Sequence, residues 1–132
     1  SVDIPGLPEG KETELWTYNG ACPGPEIRVR RNEKVRVRLI NGLDEPTMLH
    51  WHGIRIENAM DGVPGVTQDP VEPGNNFIYR LKLEDAGTFW YHPHFNSSEQ
   101  LERGLKGVLI VEEADRQPWS RDLAWLMDDW LL

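Results

Sequence analysis

No stretch of this chain runs far before turn-forming residues interrupt it: Asn19-Gly20, Pro23-Gly24-Pro25, Asn41-Gly42, Asp61-Gly62, Pro73-Gly74-Asn75 and Gly87. Glycine and asparagine tolerate positive φ and proline presets a turn, so these breaks leave only short segments between them. The segments are rich in β-branched and aromatic residues. Strands are expected near 12–18, 26–31, 33–41, 47–52, 76–83, 87–92, 106–112 and 122–128, a spacing that predicts an all-β sandwich or barrel. Period-two alternation is clearest at Phe77, Tyr79, Leu81 and Leu83. One short helix is expected near 98–105, where Ser97 and Gln100 fit a capping box and Leu101 and Leu105 share a face.

At 132 residues the chain has about the length of one domain and can bury a core without staples. No apolar run approaches the ~20 residues of a membrane helix. The formal charge of −8 opposes nucleic acid and anionic membrane surfaces as partners. The one basic stretch, Arg28, Arg30, Arg31, Lys34, Arg36 and Arg38, alternates with Ile27, Val29, Val35, Val37 and Leu39, as a strand with one wet face does. The single Cys22 has no intramolecular disulfide partner and stands in a turn with no histidine near it in sequence. No charged start followed by an apolar stretch and a cleavage site opens the sequence. Residues 1–118 are expected to form the domain and 119–132 the start of a following one, because Trp125, Trp130, Leu131 and Leu132 form an apolar end that needs cover. Those aromatics also leave a homo-oligomer open.

All four histidines fall into two His-x-His pairs, His50-Trp51-His52 and His92-Pro93-His94. In a strand, residues i and i+2 point to one face about 6.5–7 Å apart, so both imidazoles of a pair can reach one metal or two adjacent ones. One such pair is also what an ordinary half-buried strand contains; two pairs with no stray histidine point to a metal. Imidazole suits copper, zinc, iron or nickel, and no usable thiolate is present for a cysteine-based structural zinc site. The same alternation turns Trp51 away from the His50/His52 face, into packing, and puts Trp90 on the side of His92 and His94.

Flanking segments narrow the choice. Asn19-Gly20-Ala21-Cys22-Pro23-Gly24-Pro25-Glu26-Ile27, His50-Trp51-His52-Gly53, Asp61-Gly62-Val63-Pro64-Gly65-Val66-Thr67-Gln68, Gly87-Thr88-Phe89-Trp90-Tyr91-His92-Pro93-His94 and Gly104-Leu105-Lys106-Gly107-Val108-Leu109-Ile110-Val111 occur in that order. Together, from about Glu12 to Val111, they resemble the N-terminal domain of multicopper oxidases, the group of laccases, ascorbate oxidase and bacterial copper-efflux oxidases. The resemblance implies a cupredoxin-like Greek-key β-sandwich holding half of a trinuclear copper cluster, with further cupredoxin domains of the parent protein as partners. It implies that His50 binds the type 2 copper, His52 and His92 share one type 3 copper, and His94 binds the other. It also implies a proton-handling role for Asp61, nine residues after His52, although Asp61-Gly62 is a turn signal in its own right.

In such an enzyme dioxygen is reduced to water while a substrate, unknown here, is oxidised at a type 1 copper held by a cysteine between two histidines. Nothing in this sequence matches that type 1 site, so the isolated chain is expected to be inactive. The resemblance implies a periplasmic or secreted location. Two other readings stay open: a non-catalytic copper-binding or interaction module, and a cupin-like single-metal enzyme using His50, His52 and Glu57, which leaves His92 and His94 unexplained.

Overall fold

A computed structural model of the chain describes residues 12–115 and 119–129. Six strands, β1 (Gly24–Arg30), β2 (Lys34–Ile40), β3 (His50–His52), β4 (Asn76–Lys82), β5 (Gly87–His92) and β6 (Gly107–Glu112), and one helix, α1 (Ser97–Glu102), make up the regular structure with a single 3-10 turn at Asn58–Met60. One sheet has the order β1-β6-β5-β3 and the other pairs β2 with β4, so the first four strands alternate between the two layers. This is the expected all-β Greek-key sandwich with one short helix after the second histidine pair.

The β2–β4 pair runs antiparallel and in unbroken register from Lys34↔Lys82 to Ile40↔Asn76. Val35, Val37 and Leu39 turn inward while Lys34, Arg36 and Arg38 stay exposed, as the alternation requires. In the other layer β1 is an edge strand running parallel to β6, with a register shift between Gly24 and Ile27. Pro25 is tolerated there because an edge strand can forgo a ladder donor. Leu39, Leu49, Trp51, Tyr79, Leu81, Leu83, Leu109 and Val111 fill the space between the sheets.

Two glycines exist to admit one side chain. Gly24 and Gly107 are register partners, and a Cβ on Gly107 would lie 2.2 Å from the Tyr91 phenol oxygen. Through that slot the Tyr91 hydroxyl donates to the Pro25 carbonyl at 2.6 Å, tying β5 to the edge strand across β6.

Several sequence expectations need correction. Residues 12–17 form no strand; Tyr18 makes an isolated bridge to Ala21, and Trp16 N–H is satisfied by the Arg103 carbonyl at 2.8 Å. The segment at 122–128 has no regular structure and joins no ladder: its anchors are ion pairs of Asp122 with Arg28 and Asp128 with Lys106. The strand expected at 47–52 shortens to three residues, because Thr47 instead exchanges both backbone bonds with Val71. No capping box forms. Asn96 precedes α1 in a left-handed conformation (φ 42°), and the Gln100 amide turns into the core. There it accepts from the Thr47 hydroxyl at 2.7 Å and donates to Glu45 at 2.5 Å and the Pro46 carbonyl at 2.9 Å, which fixes α1 against the approach to β3. A fully buried amide is worth more satisfied by three partners than spent on a solvent-exposed cap. Among the described residues, no helix is long and apolar enough to cross a membrane.

Candidate metal centre

Strands β3 and β5 pair antiparallel with His50↔His92, Trp51↔Tyr91 and His52↔Trp90 opposite each other. Alternation then sorts the side chains. His50, His52, Trp90 and His92 share one face of the sheet, while Trp51 (0% exposed) and Tyr91 (3%) enter the core. The distribution expected for the two tryptophans is the one observed.

His52 Nδ1 faces His92 Nε2 at 3.2 Å. Two imidazole nitrogens bound to one ion at roughly 2.0–2.1 Å lie about 3–3.5 Å apart at ordinary coordination angles, so the separation of this pair suits a shared metal. Ligand atoms of His50, His52 and His92 all lie within 4.8 Å of one another. His94, just beyond β5, falls outside that trio, yet its ring centroid is 4.9 Å from that of His50 and 6.0 Å from that of His92. The trio could hold a metal ion, with the His94 ring beside it. Glu57 is exposed and lies outside the group, so the cupin-like ligand set does not assemble.

Backbone carbonyls set the tautomers. His92 Nδ1–H donates to Pro93 O at 2.8 Å, leaving Nε2 with its lone pair toward His52. His50 Nδ1–H donates to Asp61 O at 2.7 Å, which frees Nε2 for a ligand role. These carbonyl partners were not foreseen; the Asp-Gly turn was the only local signal for one of them. The Asp61 carboxylate itself lies 3.5 Å from His50 Nδ1, so the acid singled out in sequence does reach the cluster. Gly62 explains how: its φ is +70°, and a Cβ there would sit 2.0 Å from the Leu49 carbonyl oxygen, so only glycine lets this turn press against the start of β3.

Burial pushes the His92 pKa down to about 4, against a partial opposing effect of its bond to Pro93. Burial and neighbouring His50 lower that of His94 as well. The unfolded chain therefore takes up a proton at His92 below about pH 6.5, whereas the folded chain refuses it until about pH 4. Acid thus favours unfolding across that window, and the effect is complete below it. Allowing for solvent at the exposed neighbours, the metal-free protein should lose about 2 kcal/mol at this group between pH 7 and pH 4. Urea midpoints across the range should fall less steeply in a His92→Gln variant; parallel slopes would remove the assignment.

Cys22 is half-buried, burial raises its pKa, and its thiol lies 3.5 Å from the Gly104 carbonyl. It stands apart from the histidine group.

Residues 4–116 match the family model described as multicopper oxidase. The chain is 38% identical over 123 residues to a copper resistance protein A homolog of Pseudomonas syringae pv. tomato, covering 92% of this chain and 20% of that protein. It is 39% identical over 130 residues to an L-ascorbate oxidase of Nicotiana tabacum, covering 93% of this chain and 22% of that protein. Among solved structures, a multi-copper oxidase from Pseudomonas thermotolerans superposes with a TM-score of 0.84 at 54% identity, over 90% of this chain and 29% of the other. The chain thus spans about a fifth of the length of these curated relatives.

Proposed function

Because the chain belongs to the multicopper oxidase family, we propose that it is the N-terminal domain of such an oxidase and donates four histidine ligands to a trinuclear copper cluster completed by another domain of the parent protein. His50 is assigned to the type 2 copper, His52 and His92 to one type 3 copper, and His94 to the other. The observation that carries this reading is the 3.2 Å approach of His52 Nδ1 to His92 Nε2, with His50 and His94 close by. When bound, copper supplies the one-electron chemistry that couples substrate oxidation at a type 1 site elsewhere in the protein to reduction of dioxygen to water.

The residues of this chain then have definite tasks. Pro93 O and Asp61 O hold protons on the Nδ1 atoms of His92 and His50, keeping both Nε2 lone pairs available. His52 binds through Nδ1, so its proton moves to Nε2, on a residue that is exposed overall. Asp61, on the His50 side, handles protons consumed as oxygen is reduced. The parent protein is placed in the periplasm or outside the cell, and residues 119–132 begin the next domain. That last assignment is supported by Trp119, Leu123, Trp125 and Met127, which are 70–91% exposed and need cover.

Copper quantification and spectroscopy for the three copper types on the full-length protein test the assignment, and absence of the type 3 signature would refute it. In the same protein, Asp61→Asn should reduce the rate of dioxygen reduction by about a hundredfold, the low end for a positioned proton-transfer group, at unchanged copper content. A rate equal to wild type would end the proton-handling role; a matching loss of copper would make Asp61 a support for His50 instead.

A further inference from the structure

The Trp90 indole lies against both members of the closest histidine pair. Its ring is stacked on His92 with centroids 4.1 Å apart and planes at 27°, and it lies 4.8 Å from His52 at 31°. Register explains the double contact, since His52 is the cross-strand partner of Trp90 and His92 is two residues along the same strand. The two imidazoles are otherwise held very differently. His92 is buried and pinned through Nδ1 to Pro93 O. His52 is exposed, and its one hydrogen bond among the described residues is the contact with His92 that a metal must replace. Of the rings around His52, that of Trp90 lies nearest and closest to parallel, at 4.8 Å and 31°, against 5.4 Å for His92 and an edge-on 5.7 Å for His50.

The other surroundings of the indole are more open. Trp90 lines a cavity of about 370 Å³ together with Leu101 of α1, Val108 of β6, and Trp125 and Leu126 of the tail. The tail is fastened there by the ion pair between Asp128 and the buried Lys106.

We propose that Trp90 is a positioning residue for the metal pair: one indole plane, packed on His92 and His52 together, holds both imidazoles at the tilt that aims Nδ1 of one and Nε2 of the other at a single ion. This rests on the copper assignment above. A supporting residue that orients a ligand typically contributes 10–100-fold to metal affinity. The shape of the group matters as much as its volume, because a leucine would fill space without constraining a ring plane.

The test uses the full-length protein stripped of metal and titrated with Cu(II), reading affinity and stoichiometry at the cluster alongside the unfolding midpoint of the metal-free form. Trp90→Leu should weaken copper binding by roughly 10–100-fold, and Trp90→Phe, which keeps a flat face, should recover most of it at a similar unfolding midpoint. Wild-type affinity in Trp90→Leu would overturn the proposal, as would a Trp90→Phe protein that binds as weakly as Trp90→Leu. A His52→Ala control separates the two levels. If it binds copper as wild type does, the ligand assignment itself fails and the Trp90 role falls with it.

Discussion

In the proposed oxidase, His92→Ala in the full-length protein is expected to lower dioxygen reduction by at least about a hundredfold, the upper end of what losing a mere supporting residue costs a metal site. Three features converge on this position. Its Nε2 faces His52 Nδ1 at 3.2 Å, its Nδ1 is tied to a carbonyl that fixes the tautomer, and its burial holds it neutral down to about pH 4. A neutral imidazole does not have to lose a proton before it coordinates. The measurement is oxygen uptake at saturating reducing substrate, together with copper content. Full copper and a rate within tenfold of wild type would show that His92 is no ligand. Because the substitution also removes a buried ring, the metal-free variant should be compared at pH 7, where the imidazole is neutral and the comparison reports lost packing and the lost hydrogen bonds to Pro93 and His52 with no charge involved.

Trp51→Ala is the second large effect, and it falls on the fold rather than on the chemistry. Trp51 stands between His50 and His52 in sequence but is wholly buried, with its ring edge-on to Tyr79 at 5.6 Å and tilted against Tyr91 at 6.0 Å. Truncating a buried tryptophan costs about 3–5 kcal/mol, a large part of the roughly 5–15 kcal/mol by which domains are stable. The indole Nε1 has no hydrogen-bond partner among the described residues, so packing is what the residue contributes. Trp51→Phe should therefore cost distinctly less, since it leaves a smaller cavity and forfeits no hydrogen bond. Chemical denaturation of the three proteins decides it; equal losses in the two variants would mean that the indole nitrogen matters after all.

The two substitutions separate the faces of one three-residue strand, and that separation was legible in sequence. Period-two alternation alone puts His50 and His52 on one side and Trp51 on the other, and it does the same for Trp90 and His92 against Tyr91. The succession of turns was equally legible, as were the wet basic face of β2 and a short helix following His94. The local signals that misled were those with a stronger competitor elsewhere in the fold. Gln100 looked like a cap and became a buried bridge to Glu45, Pro46 and Thr47; residues 122–128 looked like a strand and became a strap held by charges.

Local spacing therefore sufficed to identify the four imidazoles and the face each strand turns toward them, while Asp61 was singled out through the family resemblance and not through spacing. The register that sets His50 opposite His92, and His52 opposite Trp90, follows from pairing segments some forty residues apart, through long-range contacts that no local pattern encodes. Likewise, the carbonyls of Asp61 and Pro93 that choose each tautomer are backbone atoms, common to every residue type, and chain geometry alone can aim them. The contact of Trp90 with both His52 and His92 arises in the same way, from one strand laid across another at a spacing that packing enforces.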